Sequence, residues 1–245
     1  MNALAARLAG RFAREALALG AGEVCALQRR SFYLRFPGGR VACIGDAAIG
    51  RGPLYALVDA LPAAVLGQSV AVDAARAEPW TPPDANGTFP DNARAIVRAA
   101  ARHAPATGFG GLIAGSHNPL SVHAQPALEA LQRWLVGNAL SAEAEALIGL
   151  GPGVTAAGDD YLGGVLLALG LAGRGAQAAS LWRWLEPRLA SRTREISAAH
   201  LAAAAGGEAQ EALHRVLNGE AEFDRLDAAG WNGLAGALAV TKAYY

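Results

Sequence analysis

"GLGPGVTAAGDDYLGGVLLAL", residues 149–169, sets four glycines, a proline and a threonine ahead of two adjacent aspartates, then runs into apolar residues. The apolar run reads as a buried helix, and the stretch before it, "SAEAEALIGL", also reads as helix. The glycines therefore join two helices, a task that needs only one or two of them. Successive glycines let backbone N–H groups converge on one point, and a helix start adds unpaired donors and a positive dipole end. Such a loop suits a phosphate or a carboxylate. A Walker A loop would end in Gly-Lys-Ser/Thr, and a dinucleotide-binding fingerprint would follow a strand; neither pattern is present.

Gly151, Gly153, Thr155 and Gly158 are the candidate anion-binding residues of the loop. Asp159 and Asp160 carry alternative readings. One can cap the helix, and both favour its positive end. Two carboxylates beside an anion nest also suit a magnesium ion bridging to phosphate, or one can hold a substrate amide. No cofactor is required by any motif. His117 and His123 have no third ligand at a suitable spacing, so zinc is not expected. No Ser-His-Asp pattern appears.

Away from the loop, the chain has 245 residues, 53% hydrophobic and 17% charged, with no net charge. That composition is globular and gives no basic face for nucleic acid. No apolar run is long enough to span a bilayer. The two cysteines, Cys25 and Cys43, fit buried thiols in a reducing cytoplasm. Lys242 is the only lysine among 21 Lys and Arg residues, so arginine must bind anions and lysine-based covalent chemistry has no candidate at the loop.

Residues 2–19 read as an amphipathic helix rather than a secretory leader. "EVCALQ", "SFYLRF" and "RVACIG" then alternate as strands, the last two joined by the turn "PGGR". "GPLYALVDA" and "GQSVAVDAA" continue in β style. The proline-rich stretch of residues 78–92 reads as a boundary, with Asp91 capping the helix that follows it. Further helices are expected near 124–138, 141–148, 159–173, 176–190, 191–205, 208–218 and 231–241. The expected class is α+β: an N-terminal helix and β-rich domain over 1–85, and a mostly helical domain over 90–245 carrying the Gly-Asp-Asp loop.

"AGDDYLGGVL" (157–166) and "AGWNGLAGAL" (229–238) share a pattern in which Asp160 matches Asn232, Leu162 matches Leu234 and Gly164 matches Gly236. It predicts two related helices packed through their glycines, although a chain rich in Ala, Gly and Leu can also match itself by chance. Thr193, Arg194 and Ser197 fall at helical spacing and offer a polar face to the loop. The alternative is a Ser191 helix cap with Arg192 and Arg194 in solvent.

The segment "LIGLGPGVTAAGDDYLGGVLLAL" resembles the signature of a bacterial family long described as a domain of unknown function. Its characterised member is one subunit of oxamate carbamoyltransferase in allantoin degradation. The family's loop commonly reads Gly-Leu-Gly-Pro-Gly-Leu-Thr-Pro-Ser-Gly-Asp-Asp. This chain matches at Gly149, Leu150, Gly151, Pro152, Gly153, Thr155, Gly158, Asp159 and Asp160, with Ala156 and Ala157 in place of Pro-Ser. "SFYLRFPGGRVACIGDAAIGRGPLYALV" is similar to the family's N-terminal β segment. "VDAARAEPWTPP" is similar to its Trp-x-Pro boundary, and "SRTREISAAHLAAAAGGEAQEALHRVL" to a helix opening Thr-x-x-x-Ser. "AAGWNGLAGAL" is similar to its final loop, with Ala228 and Ala229 for serines and Asn232 for aspartate.

The resemblance implies a subunit of a carbamoyltransferase in purine or allantoin catabolism that acts on a small ureide or amide with phosphate or carbamoyl phosphate. Its implied roles are Asp159 and Asp160 as catalytic residues orienting an amide nitrogen or metal, the loop and Asn232 as binding residues, and Thr193, Arg194 and Ser197 closing the other side. The implied partners are an oxamate-like, phosphate or carbamoyl phosphate ligand, together with other subunits or copies of this chain; nucleic acid and membrane are not expected. A rival reading is a non-catalytic, ligand-binding or scaffolding subunit of a multi-subunit complex.

Overall fold

The computed structural model describes residues 4–84 and 89–244. These residues form two compact units, residues 4–83 with Glu208–Glu211, and residues 84–207 with 212–244. The class is α+β.

The first unit holds seven strands: β1 (Leu4–Gly10), β2 (Ala21–Leu27), β3 (Ser31–Phe36), β4 (Arg40–Gly45), β5 (Tyr55–Val58), β6 (Ser69–Asp73) and β7 (Glu78–Trp80), with helix α1 (Arg11–Leu17) after β1. The order is β5-β4-β3-β2-β6-β1-β7, and β5 also pairs with β1. Six strands therefore close into a barrel, which removes free edges, and β7 runs parallel to β1 beside it. Phe32, Leu34, Ile44, Ala56 and Val58 pack with Ala13, Ala16 and Leu17 of α1 in one core. Glu208–Glu211 joins this unit through polar contacts. The Glu208 carboxylate accepts from Arg11 Nε at 2.6 Å, Gln210 Nε2 donates to the Tyr55 hydroxyl at 2.7 Å, and the Glu211 N–H donates to the Arg51 carbonyl at 2.9 Å.

The helix expected over residues 2–19 is corrected: a strand precedes a short helix. Ala6 and Leu8 are buried while Ala5 and Arg7 are exposed, the two-residue period of a strand. Good helix formers do not prevent this, because pairing with β5 and β6 overrides local propensity. The break falls at Gly10, where a Cβ would overlap the Gly52 carbonyl oxygen. The boundary stretch is corrected in part, since Glu78–Trp80 forms β7; residues 85–88 within it lie outside the described residues.

The second unit is helical: α2 (Phe89–Ala100), α3 (Pro119–His123), α4 (Gln125–Leu135), α5 (Ala157–Leu171), α6 (Gly175–Arg192), α7 (Glu195–Ala205), α8 (Glu211–Leu217) and α9 (Ala228–Tyr244). Asp91 lies inside the first turn of α2 rather than capping it. Residues 142–147 form a tight 3-10 turn instead of the α-helix expected over 141–148. Among the described residues no helix is long and apolar enough to cross a membrane.

Helix α5 is buried on most faces, as its all-round apolar sequence requires. It packs most extensively on α9, then on α7 and α6. The α5–α9 contact runs through the repeated glycines. A methyl group on Gly164 would overlap the Gly233 carbonyl oxygen, and one on Gly236 would overlap that of Tyr161. The 72-residue offset that relates the motifs exchanges these two contacts, and Asp160 meets its own counterpart Asn232. The crossing is thus locally two-fold, with each helix using a glycine to admit the other's backbone.

Candidate anion-binding cleft

The glycine loop takes its shape from backbone that other residues adopt only with strain. Gly149, Gly151 and Gly153 have φ of +73°, +101° and +125°. Gly149 also lies so close to the end of α6 that a Cβ would overlap the Arg192 carbonyl oxygen. The loop ends at Ala156, whose N–H donates to Ser197 Oγ at 3.0 Å. That bond places the start of α5 beside the start of α7. Neither helix has a side-chain cap, since Ala156 and Arg194 occupy the cap positions. Among the described residues, the N–H groups of Gly151, Gly153 and Val154 find no protein acceptor.

Between the loop and the α6–α7 junction lies a cleft of about 310 Å³. Gly149, Gly151, Gly153 and Ala156 form one wall, and Ser191, Arg192, Thr193, Arg194 and Ser197 the other. Arg194 reaches across, its Nη1 donating to the Gly153 carbonyl at 3.4 Å. Arg192 is engaged from the side by Glu145 at 2.5 Å, which also holds Arg188 at 2.9 Å. Two helix N-termini, unpaired loop N–H groups and a guanidinium converge on one volume, which is chemistry for an anion.

Residues 147–229 match the family model of oxamate carbamoyltransferase subunit AllH. The match covers about a third of the chain and contains every residue that lines the cleft. Neither a curated protein nor a solved structure matches the chain.

The two aspartates separate. Asp159 is 2% exposed and lies beneath the loop, not on the cleft wall. Its Oδ1 accepts from the Gly149 N–H at 2.9 Å, its Oδ2 accepts from the Thr193 hydroxyl, and Ser197 also bonds to it. Burial raises its pKa and these donors oppose the rise. Asp160, one residue on, points about 100° away around the helix and meets Thr155 and Asn232, whose Nδ2 donates at 3.4 Å. Burial pushes its pKa up to about 7, helped by the charges of Asp227 and Asp159 and opposed by the two hydrogen bonds. Among the described residues, no group of three His, Cys, Asp or Glu is placed to hold a metal ion.

The cleft therefore gathers Gly151, Gly153, Thr193, Arg194 and Ser197 of the sequence candidates. Thr155, Gly158, Asp159, Asp160 and Asn232 do not line it. Gly158 serves packing, because a Cβ there would overlap the Leu147 carbonyl oxygen. Asn232 Oδ1 accepts the Phe109 N–H at 2.8 Å, which orients its amide toward Asp160. The helix expected over 191–205 is corrected: Ser191 is in the last turn of α6, Thr193 is extended and α7 starts at Glu195. Neither aspartate caps α5. The Thr193 hydroxyl is spent on Asp159, so it faces the cleft as an acceptor. Sequence reasoning missed Arg192, read as solvated, and Gly149 as the point where Asp159 grips the loop.

The neighbouring His200 has its pKa pushed from the ordinary 6.5 down to about 4 by burial, against the charge of Asp227. Its sign is opposite to that of Asp160. His200 favours the folded state above its ordinary pKa, an advantage lost as pH falls from 6.5 toward 4. Asp160 favours the folded state at low pH, an advantage lost as pH rises from the ordinary carboxylate range through about 7. The two slopes oppose each other between pH 4 and 6.5. Urea unfolding of Asp160→Asn is expected to expose the His200 slope, with stability rising from pH 4 to 6.5. A pH profile identical to that of the unsubstituted chain would reject this assignment.

Proposed function

We propose that this chain is a subunit of an oxamate carbamoyltransferase-like enzyme, and that its cleft holds the anionic part of a small ureide or amide, or phosphate or carbamoyl phosphate. The observation that carries the reading is the pair of unpaired N–H groups at Gly151 and Gly153 on the cleft wall, set with Arg194 beside two uncapped helix starts. Carbamoyl transfer needs stabilisation of developing charge more than a nucleophilic side chain, and fixed donors supply that.

A second reading has its own observation. The residues lining the cleft include no carboxylate, imidazole, thiol or amine. On that reading the chain binds the ligand and partner subunits supply any acid or base.

Thermal shift of the purified chain tests both, with phosphate, carbamoyl phosphate and oxamate, each with and without magnesium. A ligand at a hundred times its Kd stabilises by about 2.7 kcal/mol. Arg194→Gln is expected to weaken the bound anion about tenfold or more, the loss of a charged donor. Absence of any shift, or a shift untouched by Arg194→Gln, would count against the cleft. Turnover by the chain alone supports the catalytic reading. Turnover that appears only when the partner subunits are added supports the binding reading.

A further inference from the structure

The cleft presents donors on one wall and, on the other, a hydroxyl whose one hydrogen is already committed. Thr193 is half-buried and extended (φ −138°, ψ 174°) between α6 and α7. Its N–H donates to the Leu189 carbonyl at 3.0 Å, so the side chain is what it offers the cleft it lines. That hydroxyl donates to Asp159 Oδ2, while Asp159 Oδ1 accepts from the Gly149 N–H at 2.9 Å. We infer that Thr193 reads an N–H group on the bound anion, with Asp159 as the positioning residue that fixes the direction of the hydroxyl. The inference rests on the anion reading of the cleft and adds the feature by which the cleft selects among anions.

A threonine hydroxyl has one hydrogen and two lone pairs, and an ionised carboxylate only accepts. Asp159 is 2% exposed, and a buried carboxylate holds the donors that reach it, because losing one leaves its charge unsatisfied. The Thr193 hydrogen therefore stays on Asp159, and a lone pair is left toward the cleft. A lone pair repels an oxygen of phosphate or carboxylate and accepts from an N–H. The Gly151 and Gly153 N–H groups and Arg194 thus suit the acid end of a ligand, and Thr193 suits an amide end.

The other hydroxyls of the cleft lack this fixed polarity. Ser197 is 1% exposed, and its Oγ accepts the Ala156 N–H at 3.0 Å, which occupies it within the wall. Ser191 is exposed and donates to the Arg188 carbonyl at 3.2 Å, a neutral acceptor in its own helix from which it can turn toward an anion. The Gly153 carbonyl accepts from Arg194. A site built to pair an N–H rejects the analogue that lacks it, because its acceptor is then left unpaired.

The test is titration calorimetry of the whole chain at pH 8 with phosphonoacetamide and acetonylphosphonate, which share shape and charge and differ by an amide nitrogen against a methyl group. Sulfate reports the anion site by itself. Phosphonoacetamide is expected to bind about five- to tenfold more tightly, the worth of one hydrogen bond. The readout is the ratio of the two affinities, from which any general weakening of the cleft cancels. Thr193→Ser keeps the oxygen and is expected to keep the ratio. Thr193→Val keeps the shape without the oxygen and is expected to remove the preference. Asp159→Asn is expected to remove it with Thr193 still in place. Its oxygen stays with the Gly149 N–H, its amide nitrogen donates to Thr193, and the Thr193 hydrogen turns to the cleft. A purely structural Asp159 would weaken both ligands alike and leave the ratio unchanged. No preference in the parent chain, a preference that survives Thr193→Val or Asp159→Asn, or one lost in Thr193→Ser overturns the inference and leaves the anion cleft standing. Failure of sulfate and both phosphonates to bind overturns the anion reading and the inference together.

Discussion

Gly164→Ala is expected to destabilise the helical unit by about 3 kcal/mol or more, although Gly→Ala inside a helix normally gains about 1 kcal/mol. The added methyl meets the Gly233 carbonyl oxygen, which is backbone of α9 and cannot rotate aside. Relief requires the two helices to move apart, which loosens the crossing on which both depend and leaves gaps around Leu162 and Leu234, both fully buried. Gly236→Ala is expected to cost a similar amount, since it meets the Tyr161 carbonyl in the equivalent position. Gly170 supplies the control. It lies in the same helix, and an added methyl there would have nothing within 4 Å, so Gly170→Ala is expected to stabilise by about 0.5–1 kcal/mol. Urea unfolding followed by circular dichroism reads all three. A Gly164→Ala chain as stable as the parent would mean that the helices do not cross where the structure puts them.

The α5–α9 crossing was legible because its cause is local. Small residues recur at the same offsets in two segments, and a glycine where a helix former is expected signals close approach. Barrel closure was not legible, since the pairing of β1 with β5 joins residues about 50 apart and leaves no periodic trace. The Ala-rich composition of residues 4–17 also hides a strand among helix formers. Within the cleft, the loop could be read from its glycines, and Thr193, Arg194 and Ser197 from their likeness to the family's Thr-x-x-x-Ser helix opening. The divergence of Asp159 from Asp160 could not be read, because it is decided by what stands opposite each of them. Thr193 and Ser197 arrive from the α6–α7 junction, and Asn232 arrives from α9.

That divergence gives two neighbouring carboxylates opposite expected effects. Asp159→Ala is expected to cost about 3 kcal/mol and to abolish anion binding in the cleft. The side chain is buried and receives the Gly149 N–H together with the Thr193 and Ser197 hydroxyls. The hydroxyls can turn to other acceptors, but the Gly149 N–H is fixed and is left unsatisfied, and a small cavity opens beneath the loop. Asp159→Asn retains an oxygen for Gly149 and is expected to recover about half of the loss. Asp160→Asn, at pH 8, is expected to be neutral or stabilising, because it removes a charge whose ionisation the fold resists. Chemical unfolding at pH 8, with sulfate affinity measured on the same variants, distinguishes the roles. Equal destabilisation by Asp159→Ala and Asp160→Asn would show that both carboxylates serve the fold in the same way. A tolerated Asp159→Ala with intact sulfate binding would show that the loop keeps its shape without the carboxylate beneath it, and that its glycines alone set the geometry of the cleft.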